Sequence, residues 1–206
     1  MNKIAWLAVP VFLAAPMAAD ATLDVVQTAL NNSYALEAKH NIPDAINAIK
    51  GAKGVGQEDE YLLNYRLGWL SYLAGAYNES AAYYEQAASI EPSSVEPLLA
   101  MIQPLAAQTG KTNAIIAVHE RVLKNDPNNY KSLSQLAWLN YSALKDHRKA
   151  AMYYERVLKL YPTNVEMMIG LGYSLKLGGN NKGAAKVFNQ VLRLDPINAR
   201  ALDGLK

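Results

Sequence analysis

The side chains that most often carry chemistry are few in this 206-residue chain and lie far apart in its sequence. The three histidines are His40, His119 and His147, and none has a second histidine at the three- or four-residue spacing of a helical metal site. We interpret all three as surface or turn residues. Because the sequence contains no cysteine, it excludes thiol catalysis, thiolate metal sites, disulfides and a lipid anchor attached to cysteine.

Two glycine-containing segments have only a partial likeness to nucleotide-binding loops. Residues 110–112 (Gly-Lys-Thr) match the end of a phosphate-binding loop, but Leu105 stands where that motif requires its first glycine, and no strand is predicted before it. Residues 51–56 contain three glycines, but they lack the dinucleotide-binding order and follow a predicted helix. No Gly-x-Ser-x-Gly nucleophile motif occurs. The sequence predicts a non-enzyme with no catalytic residue, metal or cofactor.

The charge of the chain is low and evenly distributed. Only 18% of residues are charged and the formal net charge is +2. The lysines and arginines form no basic block, so we interpret them as solvated helix faces and expect no nucleic-acid partner.

The N-terminus has the layout of a secretory signal peptide. Lys3 precedes an apolar stretch, and small residues before and at Ala21 fit a cleavage site there. The stretch between Lys3 and Asp20 is shorter than the ~20 apolar residues of a membrane span, and two prolines interrupt it. We therefore expect a cleaved signal peptide over residues 1–21 and a periplasmic protein. The alternative is an uncleaved N-terminus that anchors the chain in the inner membrane.

Four prolines recur every 34 or 35 residues, at Pro92, Pro127, Pro162 and Pro196. The residues before each one carry an apolar stripe at helical spacing. Each helix is expected to stop at its proline, which has no N–H and clashes with the preceding turn. An Asn or Ser that follows each proline is predicted to cap the next helix: Ser93, Asn128, Asn164 and Asn198.

The other half of each unit also has helical spacing, over residues 58–74, 95–109, 130–145 and 165–177. Upstream, a helix over 23–39 and a second one opened by Pro43 form a degenerate copy. Each unit is thus predicted to be two antiparallel helices. The predicted organisation is a signal peptide over 1–21, a degenerate unit over 22–57, complete units over 58–93, 94–128, 129–163 and 164–197, and a partial capping helix over 198–206.

A two-helix unit of about 34 residues resembles the tetratricopeptide repeat (TPR). Large-then-small pairs such as Leu67-Gly68 and Leu171-Gly172 resemble the family pattern in the first helix. Small residues and aromatics match its second helix: Ala114, Ala150, Ala184, Tyr84, Tyr154 and Phe188. Ile102 and Pro104 depart from the pattern, and Pro104 is expected to kink its helix. The resemblance implies an all-α, right-handed superhelical solenoid of about five TPR helix pairs plus a short C-terminal capping helix.

In this family the residue after the small position of the first helix faces a concave groove. That residue is aromatic in four units and glutamine, Gln103, in the other. With neighbouring turns included, the predicted partner-binding groove consists of Tyr34, Tyr65, Trp69, Tyr72, Trp138, Tyr141 and Tyr173. Such rings combine apolar area with a polar tip, as in protein-binding hot spots. The alternative is that some of them pack between units. The flanking Arg66, Lys131 and Lys176 are interpreted as solvated charges.

The resemblance implies a non-catalytic scaffold or assembly factor in the bacterial cell envelope, which binds a peptide segment or a helix of another protein in this groove. Two alternatives remain at this stage. One is a self-assembling structural protein, because the short last helix leaves Val191, Leu192 and Leu194 poorly capped. The other is an accessory protein that binds polysaccharide for export, because aromatic stripes can stack on sugars.

Overall fold

The computed structural model describes residues 18–55 and 59–206, and this part of the chain contains eleven α-helices and no strand. Most of the predicted signal peptide lies outside the described residues. The helices are α1 (Ala18–Ala38), α2 (Ile42–Lys50), α3 (Glu60–Leu73), α4 (Tyr77–Ile90), α5 (Glu96–Ala106), α6 (Thr112–Asn125), α7 (Tyr130–Ser142), α8 (His147–Leu160), α9 (Val165–Leu177), α10 (Asn181–Leu194) and α11 (Ala199–Gly204).

Each helix packs against the next one in the chain. Odd-numbered helices also contact one another in three pairs: α3 with α5, α7 with α9, and α9 with α11. The odd-numbered helices are the first helices of their units. They form a surface that we call the first-helix face. The arrangement is a solenoid of helix pairs, and the predicted all-α class is confirmed.

The regularly spaced prolines end the helices as predicted. The helices α4, α6, α8 and α10 each stop two residues before their proline, at Ile90, Asn125, Leu160 and Leu194. Pro43 stands in the first turn of α2, where its missing N–H breaks no helical hydrogen bond. The repeat in the sequence therefore sets the repeat in the fold.

Two of the four predicted helix caps are confirmed and two are wrong. The side chains of Asn164 and Asn198 accept hydrogen bonds from backbone N–H groups at the starts of α9 and α11. At α7 the cap is Asn129 rather than Asn128, because Asn128 remains in the turn, where its N–H donates to Asp126. Ser93 lies too early in its turn to cap α5, which begins after Val95 without a side-chain cap.

Small residues on the first helices make room for rings on the second helices. A Cβ added at Gly68 would lie 2.7 Å from the Tyr84 ring, and one added at Gly172 would lie 2.5 Å from the Phe188 ring. At such distances an added methyl group would force the ring or the helix to shift, so glycine allows this close approach of the helices. The family's large-then-small pattern thus has its expected structural role.

One of the three histidines contradicts the interpretation as a surface or turn residue. His119 is 1% exposed, and its Nδ1 lies 3.0 Å from Ser132 Oγ of α7. Burial, together with the positive charge of Lys131, lowers the pKa of His119 to about 4. It takes the position that Tyr84 and Tyr154 hold in their units, and it fills the core there as a neutral ring. His40 does lie exposed in a turn, at a φ of +59°.

Pro104 lies inside α5 as predicted, and this helix ends at Ala106, earlier than the predicted residue 109.

The final helix α11 covers more of the last unit than expected. Val191 is fully buried, whereas Leu194 is 49% exposed. The prediction of poor capping is therefore wrong for Val191, because α11 packs over it.

Candidate functional site

The first-helix face carries two separate aromatic clefts. The N-terminal cleft lies between α1 and α3, has a volume of about 640 Å³ and includes Tyr34, Glu37, His40, Arg66, Trp69 and Leu73. The C-terminal cleft lies mainly between α7 and α9, has a volume of about 570 Å³ and includes Tyr130, Gln135, Trp138, Tyr141, Tyr154, Met167, Gly170, Tyr173 and Arg200. Five of the seven predicted groove residues line these two clefts.

In the N-terminal cleft a buried arginine holds the polar side chains together. Arg66 Nε donates to Ser33 Oγ at 2.9 Å, and the guanidinium forms an ion pair with Glu37 at 2.5 Å. The guanidinium also lies 3.8 Å from the centre of the Tyr34 ring, within cation–π range. Arg66 is 6% exposed. The interpretation of Arg66 as a solvated charge is therefore wrong, because it bridges α1 and α3.

Glu37 completes this network. Partial burial alone would raise its pKa, but the hydrogen bond from Trp69 Nε1, at 2.8 Å, and the Arg66 charge outweigh burial and lower the pKa of Glu37 below its ordinary value. The indole N–H of Trp69 and the guanidinium of Arg66 thus both have protein partners. The polar groups of the N-terminal cleft are largely satisfied within the fold.

The C-terminal cleft presents its rings differently. Trp138 is 54% exposed, and its indole N–H has no hydrogen-bond partner in the described part of the chain. Tyr173 packs edge-on against Phe188, with ring centres 5.1 Å apart, and its hydroxyl donates to the carbonyl of Arg200 at 2.9 Å. Trp138, Tyr141 and Tyr173 come from two successive units and line the same cleft.

Tyr154 of α8, which the sequence analysis did not place in the groove, adds a ring to the wall of the C-terminal cleft. Its side chain is 5% exposed, yet it lines the cleft wall. It reaches the cleft beside Gly170, where an added Cβ would lie 2.4 Å from the ring carbon that carries the hydroxyl. Burial and the neighbouring Tyr141 raise the pKa of Tyr154 to about 12, so its hydroxyl keeps its proton and can donate a hydrogen bond. The only sequence signal for this role is the glycine at residue 170.

The remaining predicted residues lie outside both clefts. Tyr65 packs against the rings of Tyr61 and Tyr84, with ring centres 6.2 and 5.4 Å apart. Tyr72 packs between Trp69 and Tyr77, at 5.9 and 5.8 Å. All of these ring contacts lie within the second unit, in α3 and α4, so they take both tyrosines out of the predicted groove without showing the alternative of packing between units.

The charges that flank the first-helix face differ in their surroundings. Lys131 is exposed, whereas the Lys176 ammonium donates to the carbonyl of Gly204 in α11 at 3.0 Å. At the rim of the C-terminal cleft, Arg200 forms an exposed ion pair with Glu166. Each charged side chain on the lining of that cleft therefore has a partner of opposite charge.

Over residues 18–55 and 59–206, no group of three or more His, Asp or Glu side chains is placed to hold a metal ion. In the same described ranges, no helix has both the length and the apolar content needed to cross a bilayer.

Family models for the tetratricopeptide repeat match residues 139–199 and 62–94. No curated protein matches the sequence significantly. The first segment begins near the end of α7 and covers α8 to α10, and the second covers most of the second unit, so the pairs Leu67-Gly68 and Leu171-Gly172 both lie in matched segments.

Solved structures share the fold at low sequence identity. A tetratricopeptide repeat protein from Parabacteroides merdae has a TM-score of 0.66 and 19% identity over 88% of this chain and 71% of its own. The MamA protein has a TM-score of 0.65 and 16% identity over 86% and 95%. YrrB, described as a TPR protein with an unusual peptide-binding site, has a TM-score of 0.62 and 14% identity over 92% and 98%.

The family models agree with the spacing of the prolines, with the glycines that receive rings from the second helices and with the stacked helix pairs. Members of this family typically act as non-catalytic scaffolds for other proteins. The chain contains tetratricopeptide repeats, over residues 62–94 and 139–199, within a solenoid of helix pairs.

Proposed function

We propose that this chain is a non-catalytic scaffold or assembly factor of the bacterial cell envelope, which binds a peptide segment or a helix of a partner protein in its C-terminal cleft. The observation that carries the proposal is the convergence of Trp138, Tyr141 and Tyr173 from two units on one cleft, with the indole of Trp138 more than half exposed. Exposed aromatic side chains of this kind are enriched in binding hot spots.

The chemistry of the cleft favours a protein partner. Its rings offer large apolar area, and their hydroxyl and indole groups can bond a peptide backbone. YrrB, which shares the fold, is described as having a peptide-binding site. The N-terminal cleft is the weaker candidate, because Arg66, Glu37 and Trp69 already bond to one another.

The envelope location rests on the sequence of residues 1–21. A positive start, an apolar stretch and a small-residue cleavage site support export to the periplasm. N-terminal sequencing of the chain recovered from a periplasmic fraction should give a start at Thr22. Recovery of the intact N-terminus in the inner membrane would support the anchored alternative, and recovery from the cytoplasm would contradict both.

A pull-down from an envelope extract tests the binding site. The wild-type chain should retain a defined envelope protein, and Trp138→Ala should lose it. Leu177→Ala is the matched control, because Leu177 is 56% exposed against 54% for Trp138 and lies outside both clefts. Retention of the same partner by Trp138→Ala would contradict the proposal.

Self-assembly is the second candidate function, and it rests on a different surface. Ile197 is 86% exposed, and Leu202 of α11 and Leu205, directly after α11, are 47% and 39% exposed. Apolar side chains grouped in this way are typical of an interface. Light scattering should show a dimer or larger species at micromolar concentration, which Ile197→Ser should dissociate. A monomeric wild-type chain would exclude this function.

A further inference from the structure

We infer that a groove along α8, which we call the α8 groove, binds an acidic, amphipathic helix of a partner protein. The groove consists of two cavities of about 510 and 360 Å³, both of which Glu155 lines. Along α8 they extend from His147 to Lys159. The α8 groove is separate from the C-terminal cleft, so the inference goes beyond the proposed function and does not depend on it.

The second helices of the earlier units are joined by ion pairs that recur with the repeat. Glu85, Glu120 and Glu155 each lie seven residues before the proline that follows their helix. Glu85 of α4 pairs with Arg121 of α6 at 2.6 Å, and Glu120 of α6 pairs with Lys149 of α8 at 2.8 Å. Each ion pair thus spans the space between the second helices of two successive units.

Between α8 and α10 this ion pair is missing. The residues of α10 at the repeat positions of Arg121 and Lys149 are Gln190 and Gly183, which carry no charge. In the described part of the chain, Glu155 has no cation within ion-pair distance. The two cavities of the α8 groove therefore lie at the junction where no ion pair joins the second helices.

The charges around the groove are mainly positive. On α8, Arg148 and Lys159 line the cavities and are exposed. The helix α10 contains no acidic residue and three exposed basic ones: Lys182, Lys186 and Arg193. Within the described ranges none of these five cations forms an ion pair.

The basic side chains of α10 are close enough to the groove to contribute to binding. Lys186 and Arg193 lie one helical turn to either side of Gln190, which lines the groove. Although the sequence has no basic block, the fold thus brings unpaired cations of two units to one groove. Charge complementarity across an interface then favours an acidic partner.

The floor of the groove is apolar, which favours an amphipathic polypeptide over a polyanion without apolar groups. The apolar lining comes from three helices: Met152, Leu158, Met168, Leu171, Leu175 and Val187. Met152 is 45% exposed, so part of this surface is open to a ligand. The partner must therefore combine apolar side chains with acidic ones.

The length of the groove suits a helix of about three turns. Arg148 and Lys159 are 11 residues apart on α8, which corresponds to about 16 Å along the helix. A partner helix of that length presents apolar anchors at i, i+3 or i+4 and i+7 on one face. Acidic residues beside that face can then pair with the cations of α8 and α10.

Fluorescence anisotropy with two labelled model peptides tests the inference. The acidic probe consists of two copies of Leu-Glu-Ala-Leu-Leu-Glu-Ala, and the basic probe has lysine in place of glutamate. The wild-type chain should bind the acidic probe about tenfold more tightly than the basic one, and added salt should weaken this binding. No binding of the acidic probe, or binding of the basic probe that is equal or tighter, would overturn the inference.

Charge reversal in the groove tests where the acidic probe binds. Arg148→Glu should weaken its binding about fivefold, because a partly exposed charge pair is lost and replaced by repulsion. Lys131→Glu is the matched control: both residues are exposed, each is the second residue of its helix, and Lys131 lies outside the groove. The control should change the affinity less than twofold. Equal effects of the two substitutions would contradict binding in the groove.

Glu155→Gln should act in the opposite direction. It removes the one acidic side chain among the described residues that line the two cavities, so it should strengthen binding of the acidic probe about two- to threefold. Weaker binding by this variant would mean that the groove receives a cation and would overturn the acidic partner.

Failure of this inference is distinguishable from failure of the proposed function. Trp138→Ala should bind the acidic probe like wild type, because Trp138 lines the C-terminal cleft and not the α8 groove. Loss of binding in Trp138→Ala would place the probe in the C-terminal cleft and would overturn the inference while supporting the proposed function. Circular dichroism should show that all variants retain the helical fold.

Discussion

The two aromatic clefts arise from the same repeat positions but use their side chains in opposite ways. In the N-terminal cleft, Arg66, Glu37 and Trp69 bond to one another across α1 and α3. In the C-terminal cleft, Trp138 is exposed and its indole N–H has no partner in the described chain. Trp69 and Trp138 occupy equivalent repeat positions. The repeat therefore determines where each ring lies. The residues around the ring determine whether it stabilises the fold or remains available for binding.

The sharpest test of this difference compares the two arginines of the clefts. Arg66→Ala should lower the free energy of unfolding by about 3 kcal/mol, because it leaves Glu37 and Ser33 without a buried partner. Arg200→Ala should cost less than about 0.5 kcal/mol, because its ion pair with Glu166 is exposed. Urea unfolding measures both. Equal losses would contradict the assignment of the N-terminal network to stability.

Acid should destabilise the junction that leads into the C-terminal cleft, where His119 of α6 meets Ser132 of α7. Burial lowers the pKa of His119 from 6.5 to about 4. The unfolded chain therefore binds this proton more readily than the folded chain. Above pH 6.5 the free energy of unfolding is unaffected by His119, and as the pH drops towards 4 it decreases by roughly 2–3 kcal/mol.

Urea unfolding at intervals from pH 7 to pH 4, with His119→Gln as the control, checks this pH dependence. The control should lack the loss between pH 6.5 and pH 4. The pKa of Glu37 is lowered, so Glu37 also loses its contribution to stability as the pH falls. This loss begins only near the ordinary pKa of glutamate, at the acidic end of the range. An unchanged pH profile in the variant would show that His119 is not the group responsible.

Substitution of the glycine beside Tyr154 should disturb the C-terminal cleft by overpacking. Gly170→Ala should cost about 2 kcal/mol of unfolding free energy, since its Cβ would lie 2.4 Å from the Tyr154 ring. Gly51→Ala is the control, because the nearest atom to its added Cβ is at 3.5 Å, and it should be neutral or slightly stabilising. A Gly170→Ala variant as stable as wild type would mean that Tyr154 has room to move.

The smallest predicted effect concerns the two indole N–H groups. Trp69→Phe removes the hydrogen bond to Glu37 and should cost about 1 kcal/mol of stability. Trp138→Phe removes an N–H without a described partner and should cost less than about 0.5 kcal/mol. Thermal unfolding of the two variants gives the comparison directly, and a larger loss for Trp138→Phe would reverse the roles of the two clefts.

The fold was predictable because its signals repeat. The proline spacing, the apolar stripes and the large-then-small pairs each appear several times, so local errors such as the misplaced caps at Ser93 and Asn128 did not alter the overall architecture. The burial of His119 was also within reach of the sequence, since it lies one repeat away from both Tyr84 and Tyr154. We predicted an exposed residue because histidine is polar, although its repeat position indicated burial.

The division of the predicted groove into two clefts was not predictable from the spacing of the rings alone. It depends on which polar groups meet across neighbouring units, such as Arg66 with Glu37, and repeat position does not specify those pairs. Likewise, Tyr154 lines the cleft because residue 170 of the next unit has no side chain. Both features come from contacts between units, where residue types vary from one repeat to the next.

Fluorine NMR of the chain labelled with 5-fluorotryptophan tests the central claim most directly, because Trp69 and Trp138 report on the two clefts separately. Resonances are assigned with the Trp69→Phe and Trp138→Phe variants, and the probe is the envelope protein that the pull-down retains. Saturable movement of the Trp138 resonance with an unmoved Trp69 resonance is the predicted result. Movement of the Trp69 resonance with an unmoved Trp138 resonance would contradict the account.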